Sequence, residues 1–143
     1  MTRATLDSNV LVGAMPSRHG PLADLRRAWG DQRYDLIISE HVLEEVARAW
    51  QSQYWRQRIP PQIIRYYLDT LRTFAEVVPI TARISGVASH PEDDLVLATA
   101  VSGDAEYLVT GDKQFLALDA YQSVRIVSPR EFLDVLDRQK LGG

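Results

Sequence analysis

Apolar residues along this chain follow two rhythms, short continuous runs and spacings of three and four. Residues 3–6 read as a strand that stops at Asp7-Ser8-Asn9, three residues that favour turns. Gly20-Pro21 opens a helix, proline being suited to the first helical position, and Leu22, Leu25, Ala28 and Trp29 repeat at helical spacing behind it. Residues 35–38 form a second run, and Ser39 is an N-cap for a helix reaching Trp50. Pro60-Pro61 starts another helix, with Ile63, Ile64, Tyr67, Leu68, Leu71 and Phe74 marking its buried side. The stretch 76–80 is extended. His90-Pro91-Glu92-Asp93-Asp94 begins an almost wholly apolar, and so buried, helix that ends near Gly103. Then come a strand at 107–109, a short helix at 113–118, a strand at 124–127 and a closing helix from Pro129 to about Asp137. Strands alternating with helices predict an α/β fold, a parallel sheet covered by helices on both faces. No repeat or linker divides the chain, so one domain over 1–143 is expected, with its core at about 3–137.

Composition narrows the chemistry. A 143-residue chain with 45% hydrophobic and 24% charged residues is long enough for one globular core. It has no cysteine, which excludes disulfides, thiolate zinc sites and a cysteine nucleophile. The N-terminus lacks an apolar run long enough for a signal peptide, and the longest apolar stretch, 95–101, is too short for a membrane span. A cytoplasmic protein is expected. The net charge of −3 speaks weakly against a general nucleic-acid binder, but charge is segregated. Residues 46–75 hold five arginines (Arg48, Arg56, Arg58, Arg65, Arg72) and one acid, Asp69. Residues 90–119 hold seven acids and one base, Lys113.

Ligands of open parallel sheets bind beyond the C-terminal strand ends. Asp7 directly follows the first strand, and Asp112 follows the strand at 107–109 after Thr110 and Gly111, so both fall on that edge. Each has an ordinary role too, Asp7 in a turn and Asp112 as a helix N-cap. At 100° per residue, Glu45 borders the stripe of Val42, Leu43, Val46, Ala49 and Trp50, whereas Glu44 points away from it. Asp93 shares a face with Val96, Leu97 and Ala100, with Asp94 as second choice; acids in this first turn also suit the helix dipole. Carboxylates gathered without bases repel one another, and a divalent cation relieves that repulsion. With oxygen donors alone, Mg²⁺ or Mn²⁺ is the expected ion. His19, His41 and His90 lack zinc-ligand spacing and read as lone surface histidines.

These motifs resemble the PIN-domain family, in particular the VapC-like toxins of bacterial toxin–antitoxin pairs. The parallels are Leu6-Asp7-Ser8-Asn9-Val10, Ser39-Glu40-His41-Val42-Leu43-Glu44-Glu45-Val46, Pro91-Glu92-Asp93-Asp94-Leu95-Val96-Leu97-Ala98-Thr99-Ala100 and Tyr107-Leu108-Val109-Thr110-Gly111-Asp112-Lys113. The resemblance implies a Rossmann-like three-layer α/β/α sandwich and metal-dependent cleavage of single-stranded RNA, leaving 5′-phosphate and 3′-hydroxyl ends. It carries the family's acids to Asp7, Glu45, Asp93 and Asp112, and its supporting polar positions to Ser8, Asn9 and Thr110. His90 and Glu106 stand where close members often have an acid and an aspartate. An antitoxin partner and a homodimer are also implied.

RNA approaching an acidic pocket needs cations, for which Arg48, Arg56, Arg58, Arg65 and Lys113 are candidates, for RNA or for the partner. Trp50, Tyr54, Trp55, Tyr66 and Tyr67 are interleaved with these arginines; exposed rings stack on unpaired bases, while Trp50 and Tyr67 read better as core. Two other readings compete: a catalytically silent RNA- or protein-binding module, and an Asp-based phosphatase on a similar sheet. The phosphatases need Asp-x-Asp after the first strand, where this chain has Asn9 in the third position.

Overall fold

The computed structural model describes residues 1–142, with side chains through residue 140. It is a three-layer α/β/α sandwich. Its strands are β1 (Arg3–Leu6), β2 (Asp35–Ile38), β3 (Glu76–Val77), β4 (Tyr107–Val109), β5 (Ala120–Tyr121) and β6 (Val124–Val127). They form one sheet in the order β3-β2-β1-β4-β6-β5, parallel except for the edge strand β5. β1 lies at the centre, with Ala4 beside both Leu36 and Tyr107, and its end Leu6 beside Val109. The ends of β1 and β4 therefore finish level, as Asp7 and Asp112 require.

The helices are α1 (Ser8–Ala14), α2 (Pro21–Gly30), α3 (Glu40–Trp50), α4 (Gln53–Arg56), α5 (Pro61–Phe74), α6 (Pro91–Ser102), α7 (Lys113–Leu116) and α8 (Pro129–Gly142). α6 runs across β1, β2 and β4 and touches α3, which packs on α1 and α5. Its last turn comes so close to β2 that a Cβ on Gly103 would lie 2.3 Å from Ile37 Cγ2. α8 packs on α2 and β4; Phe132 of α8 meets Tyr34 edge-on at 5.1 Å and Tyr107 at 5.5 Å. Strand alternation then turns Leu108, fully buried, to the other face. Trp50 is also fully buried, its Nε1 donating to the Val12 carbonyl at 3.3 Å.

Several details differ from the sequence expectations. Asp7-Ser8-Asn9 does not make a plain turn. Asp7 accepts the Ser8 N–H at 2.8 Å and starts α1, whose Val10, Leu11, Val12 and Ala14 are buried. On α5 only Ile64 and Leu71 are buried, while Ile63 and Phe74 are 40% and 74% exposed. The extended stretch after α5 pairs through Glu76 and Val77 and then leaves the sheet. β5 is an addition, turning into β6 through Gln122 at a positive φ of 52°.

Candidate metal centre

Asp7 leaves β1 with its backbone fixed by an N–H bond to the Val109 carbonyl, 2.9 Å. Its Oδ2 accepts the Thr110 hydroxyl at 2.9 Å, and Thr110 Oγ1 in turn accepts the Asp112 N–H at 3.1 Å. A single fully buried threonine therefore joins the acid after β1 to the acid after β4. Asp112 also caps α7, its Oδ1 accepting the Gln114 N–H at 2.9 Å. The structural and candidate catalytic roles of both aspartates thus coexist.

Glu45 joins from α3. Ser8 Oγ donates to its Oε1 at 2.9 Å, tying α3 to the start of α1. Glu44 is exposed and Glu45 is not, as the helical spacing predicts. Asp93, half-buried in the first turn of α6, has no hydrogen bond to its carboxylate among the described residues. Its pKa is nevertheless pushed up to about 6, first by burial and then by the charges of Asp7 and Asp112. Burial pushes Asp7 up as well; the bonds from Thr110 and Ser8 oppose that rise, and the Asp112 charge adds to it. Glu45 rises to about 7 through burial and the neighbouring Glu92, with a smaller contribution from Asp7. Asp7, Glu45 and Asp93 thus hold protons more tightly than a free carboxylate, with the Asp112 charge acting on Asp7 and Asp93 and the Asp7 charge on Asp93 and Glu45.

Asp94 has a different task. It is 5% exposed, and its carboxylate accepts N–H bonds from Gly86, Val87 and Ala88 at 2.9, 3.2 and 2.7 Å. Gly86 takes a positive φ of 71° within this latch. The latch pins the long segment between β3 and α6, and it engages both oxygens of Asp94, the second-choice ligand, whereas the Asp93 carboxylate accepts no hydrogen bond among the described residues. Asp94→Ala strands three N–H groups and is expected to destabilise the fold by about 2–4 kcal/mol. Urea unfolding at pH 7 checks this, with Asp93→Asn as the contrast that should cost nothing.

The supporting positions separate. Ser8 and Thr110 sit within the network, whereas the Asn9 side chain is exposed and bonds to none of the four carboxylates among the described residues. Glu106 lies at the other end of the strands, accepting the Arg3 N–H at 3.2 Å. His90 is exposed at the start of α6, and its charge opposes the rise at Asp93. Two residues given no site role by the sequence belong here: Glu92 beside Glu45, and His41, one helical turn before Glu45, which is not the lone surface histidine expected but is largely buried against it. The i,i+4 spacing of His41 and Glu45 was the available signal.

Among the cations, Arg48 comes within 4.0 Å of Glu92 near the acids. Lys113 is exposed directly after Asp112. Arg58 lies 3.6 Å over the Tyr54 ring and donates to the Tyr54 carbonyl at 2.7 Å. Arg56 and Arg65 flank a groove of about 420 Å³ floored by Ile59, Ile64 and Leu68. Tyr54 and Tyr66 are exposed, whereas Tyr67 packs on Trp50 in the core and Trp55 is half-buried. A second groove, about 1180 Å³ between α2 and α5, has none of the four acids in its walls.

The donor set suits a hard divalent cation: aspartate and glutamate oxygens, with the Asp93 carboxylate free of hydrogen bonds among the described residues. Among the described residues no three acidic or histidine side chains are already closed into a metal-binding cluster. Holding such an ion would require these carboxylates to draw closer together.

A family model described as PIN domain matches residues 3–114, a span that contains all four acids. Among solved structures, a chain of the crystal structure of VapBC2 from Rickettsia felis, bound to a DNA fragment from their promoter, is similar. The match covers 89% of this chain and 98% of that one, with a TM-score of 0.62 and 16% identity. At that identity the likeness is one of fold. No curated protein gives a significant match.

Proposed function

Because the chain belongs to the PIN-domain family, we propose that it is a Mg²⁺- or Mn²⁺-dependent endonuclease of single-stranded RNA and the toxin of a toxin–antitoxin pair. The observation that carries this reading is the link Asp7–Thr110–Asp112, with Asp93 raised by burial and by the charge of both aspartates. Asp7, Asp93 and Asp112 would hold the ion, and Glu45 would complete the set or orient water. A cation held there would neutralise the carboxylates, acidify water and stabilise charge on the phosphate oxygens. The chain's own part is positioning. Thr110 fixes Asp7, Ser8 fixes Glu45, and the dipole of α6 favours an ionised Asp93 at its start.

Exposed Arg48 and Lys113 beside the acids would offset repulsion of the RNA backbone. Exposed Tyr54 offers a stacking face for an unpaired base. A cognate antitoxin is supported by the fold likeness to a chain of VapBC2. The exposed Tyr66 and Phe74 offer apolar surface for that partner or for a second copy of the chain. Among the described residues no helix is long and apolar enough to cross a membrane.

Incubation with single-stranded RNAs of varied sequence tests the reading. Cleavage is expected with Mg²⁺ or Mn²⁺ and is abolished by EDTA. A protein inert toward every RNA in both metals would instead be a silent binding module.

A further inference from the structure

His41 sits on α3 one turn before Glu45, and its Nε2 lies 3.0 Å from Glu45 Oε1. The two side chains are 19% and 15% exposed, so this is not the solvent-facing i,i+4 pair of an ordinary surface helix. His41 Nε2 is shut from solvent and has no hydrogen-bond partner, while Glu45 Oε1 lies 3.0 Å away, so a small turn of the ring would bring the two into a bond. The outer torsion of histidine is broad, and such a turn is easy. A buried imidazole nitrogen without a partner is unfavourable, which drives the bond to close. Ser8 Oγ, from a different helix, already donates to the same oxygen at 2.9 Å. Two groups from α1 and α3 thus converge on one oxygen of one carboxylate.

We propose that His41 is a positioning residue: through its Nε2–H tautomer it joins Ser8 in fixing Oε1 of Glu45, and so holds this carboxylate in the orientation from which it would serve the cation. This rests on the metal-dependent reading above and deepens it. Groups that orient a ligand in this way change metal affinity or activity about 10–100-fold when removed. Glu92 also lies within side-chain hydrogen-bonding reach of Glu45, but it raises the Glu45 pKa, whereas a donor such as Ser8 favours the ionised carboxylate.

The test uses the full chain, Mn²⁺ as probe and no RNA, with affinity read from water-proton relaxation. His41→Phe and Ser8→Ala are each expected to weaken Mn²⁺ binding about tenfold. The double variant should add little, because both changes loosen the same oxygen. His41→Gln, whose amide donates from nearly the same place, should recover most of the loss. Melting temperatures of the single variants should stay near wild type; if His41→Phe does not fold, His41→Ala takes its place. Wild-type affinity in the His41 variant, full additivity in the double variant, or no rescue by glutamine overturns the positioning role alone. A wild-type protein that takes up no Mn²⁺ overturns the metal reading and this inference with it.

Discussion

Replacing Asp7 by asparagine is expected to reduce RNA cleavage about 10²–10³-fold, the scale seen when one preorganised electrostatic group is lost. The protein should nonetheless melt no lower than wild type. Asparagine keeps the shape and the acceptor for the Ser8 N–H that starts α1, and its amide can donate to Thr110 in place of the bond it received. What disappears is a buried charge facing Asp112, whose removal relieves both desolvation and repulsion. Initial cleavage rates and thermal melts on one preparation separate the outcomes. Activity that survives the substitution, or that falls only with the fold, would remove Asp7 from the centre of the account.

The second large effect is on stability without metal. In the folded protein Glu45 and Asp93 hold their protons up to about 7 and about 6, against ordinary values of 4.5 and 3.8. A carboxyl whose folded pKa lies above its unfolded one binds more protons in the native state, so stability falls as pH rises through that interval. Below about pH 4 the two groups contribute no such penalty, and above about pH 7 the penalty is complete. Both side chains keep some contact with solvent, which screens the effect to a melting shift of roughly 2–5 °C. A saturating divalent ion reverses the sign, because it binds the ionised carboxylates. At a Mn²⁺ concentration about 100 times its Kd, the gain is about 2.7 kcal/mol, or roughly 8–10 °C. Melts from pH 5 to 8 with EDTA and with Mn²⁺ should therefore diverge as pH rises. Parallel curves would mean that the carboxylates do not bind the ion.

Much of this site can be read from the sequence, because each acid is attached to an element with a strong pattern. β4 announces itself as an apolar run and β1 as a short extended stretch that stops at turn-forming residues, and Asp112 and Asp7 follow them. The 100° periodicity of α3 separates Glu45 from the exposed Glu44. Periodicity is less useful for Asp93 and Asp94, because α6 is buried on nearly every side from Val96 to Ala100. The decisive partners of Asp94 are the N–H groups of residues 86–88, in an irregular segment that leaves no pattern. The same limit hides α1. Its opening residues favour turns, and only the cap on Ser8 and the burial of Val10, Leu11 and Val12 reveal a helix. On α5 the apolar stripe is wider than the surface that covers it, so Ile63 and Phe74 remain exposed. Asn9 fits its motif but points outward, one position along α1 from Ser8, which is buried.

The central claim is that carboxylates from β1, α6 and the end of β4 close around one hard cation. Crystals grown in Mn²⁺ and measured for anomalous scattering address it directly. The expected result is a peak within bonding distance of Asp7, Asp93 and Asp112, with Glu45 beside it. A manganese peak elsewhere on the molecule, with these three aspartates still apart, would contradict it.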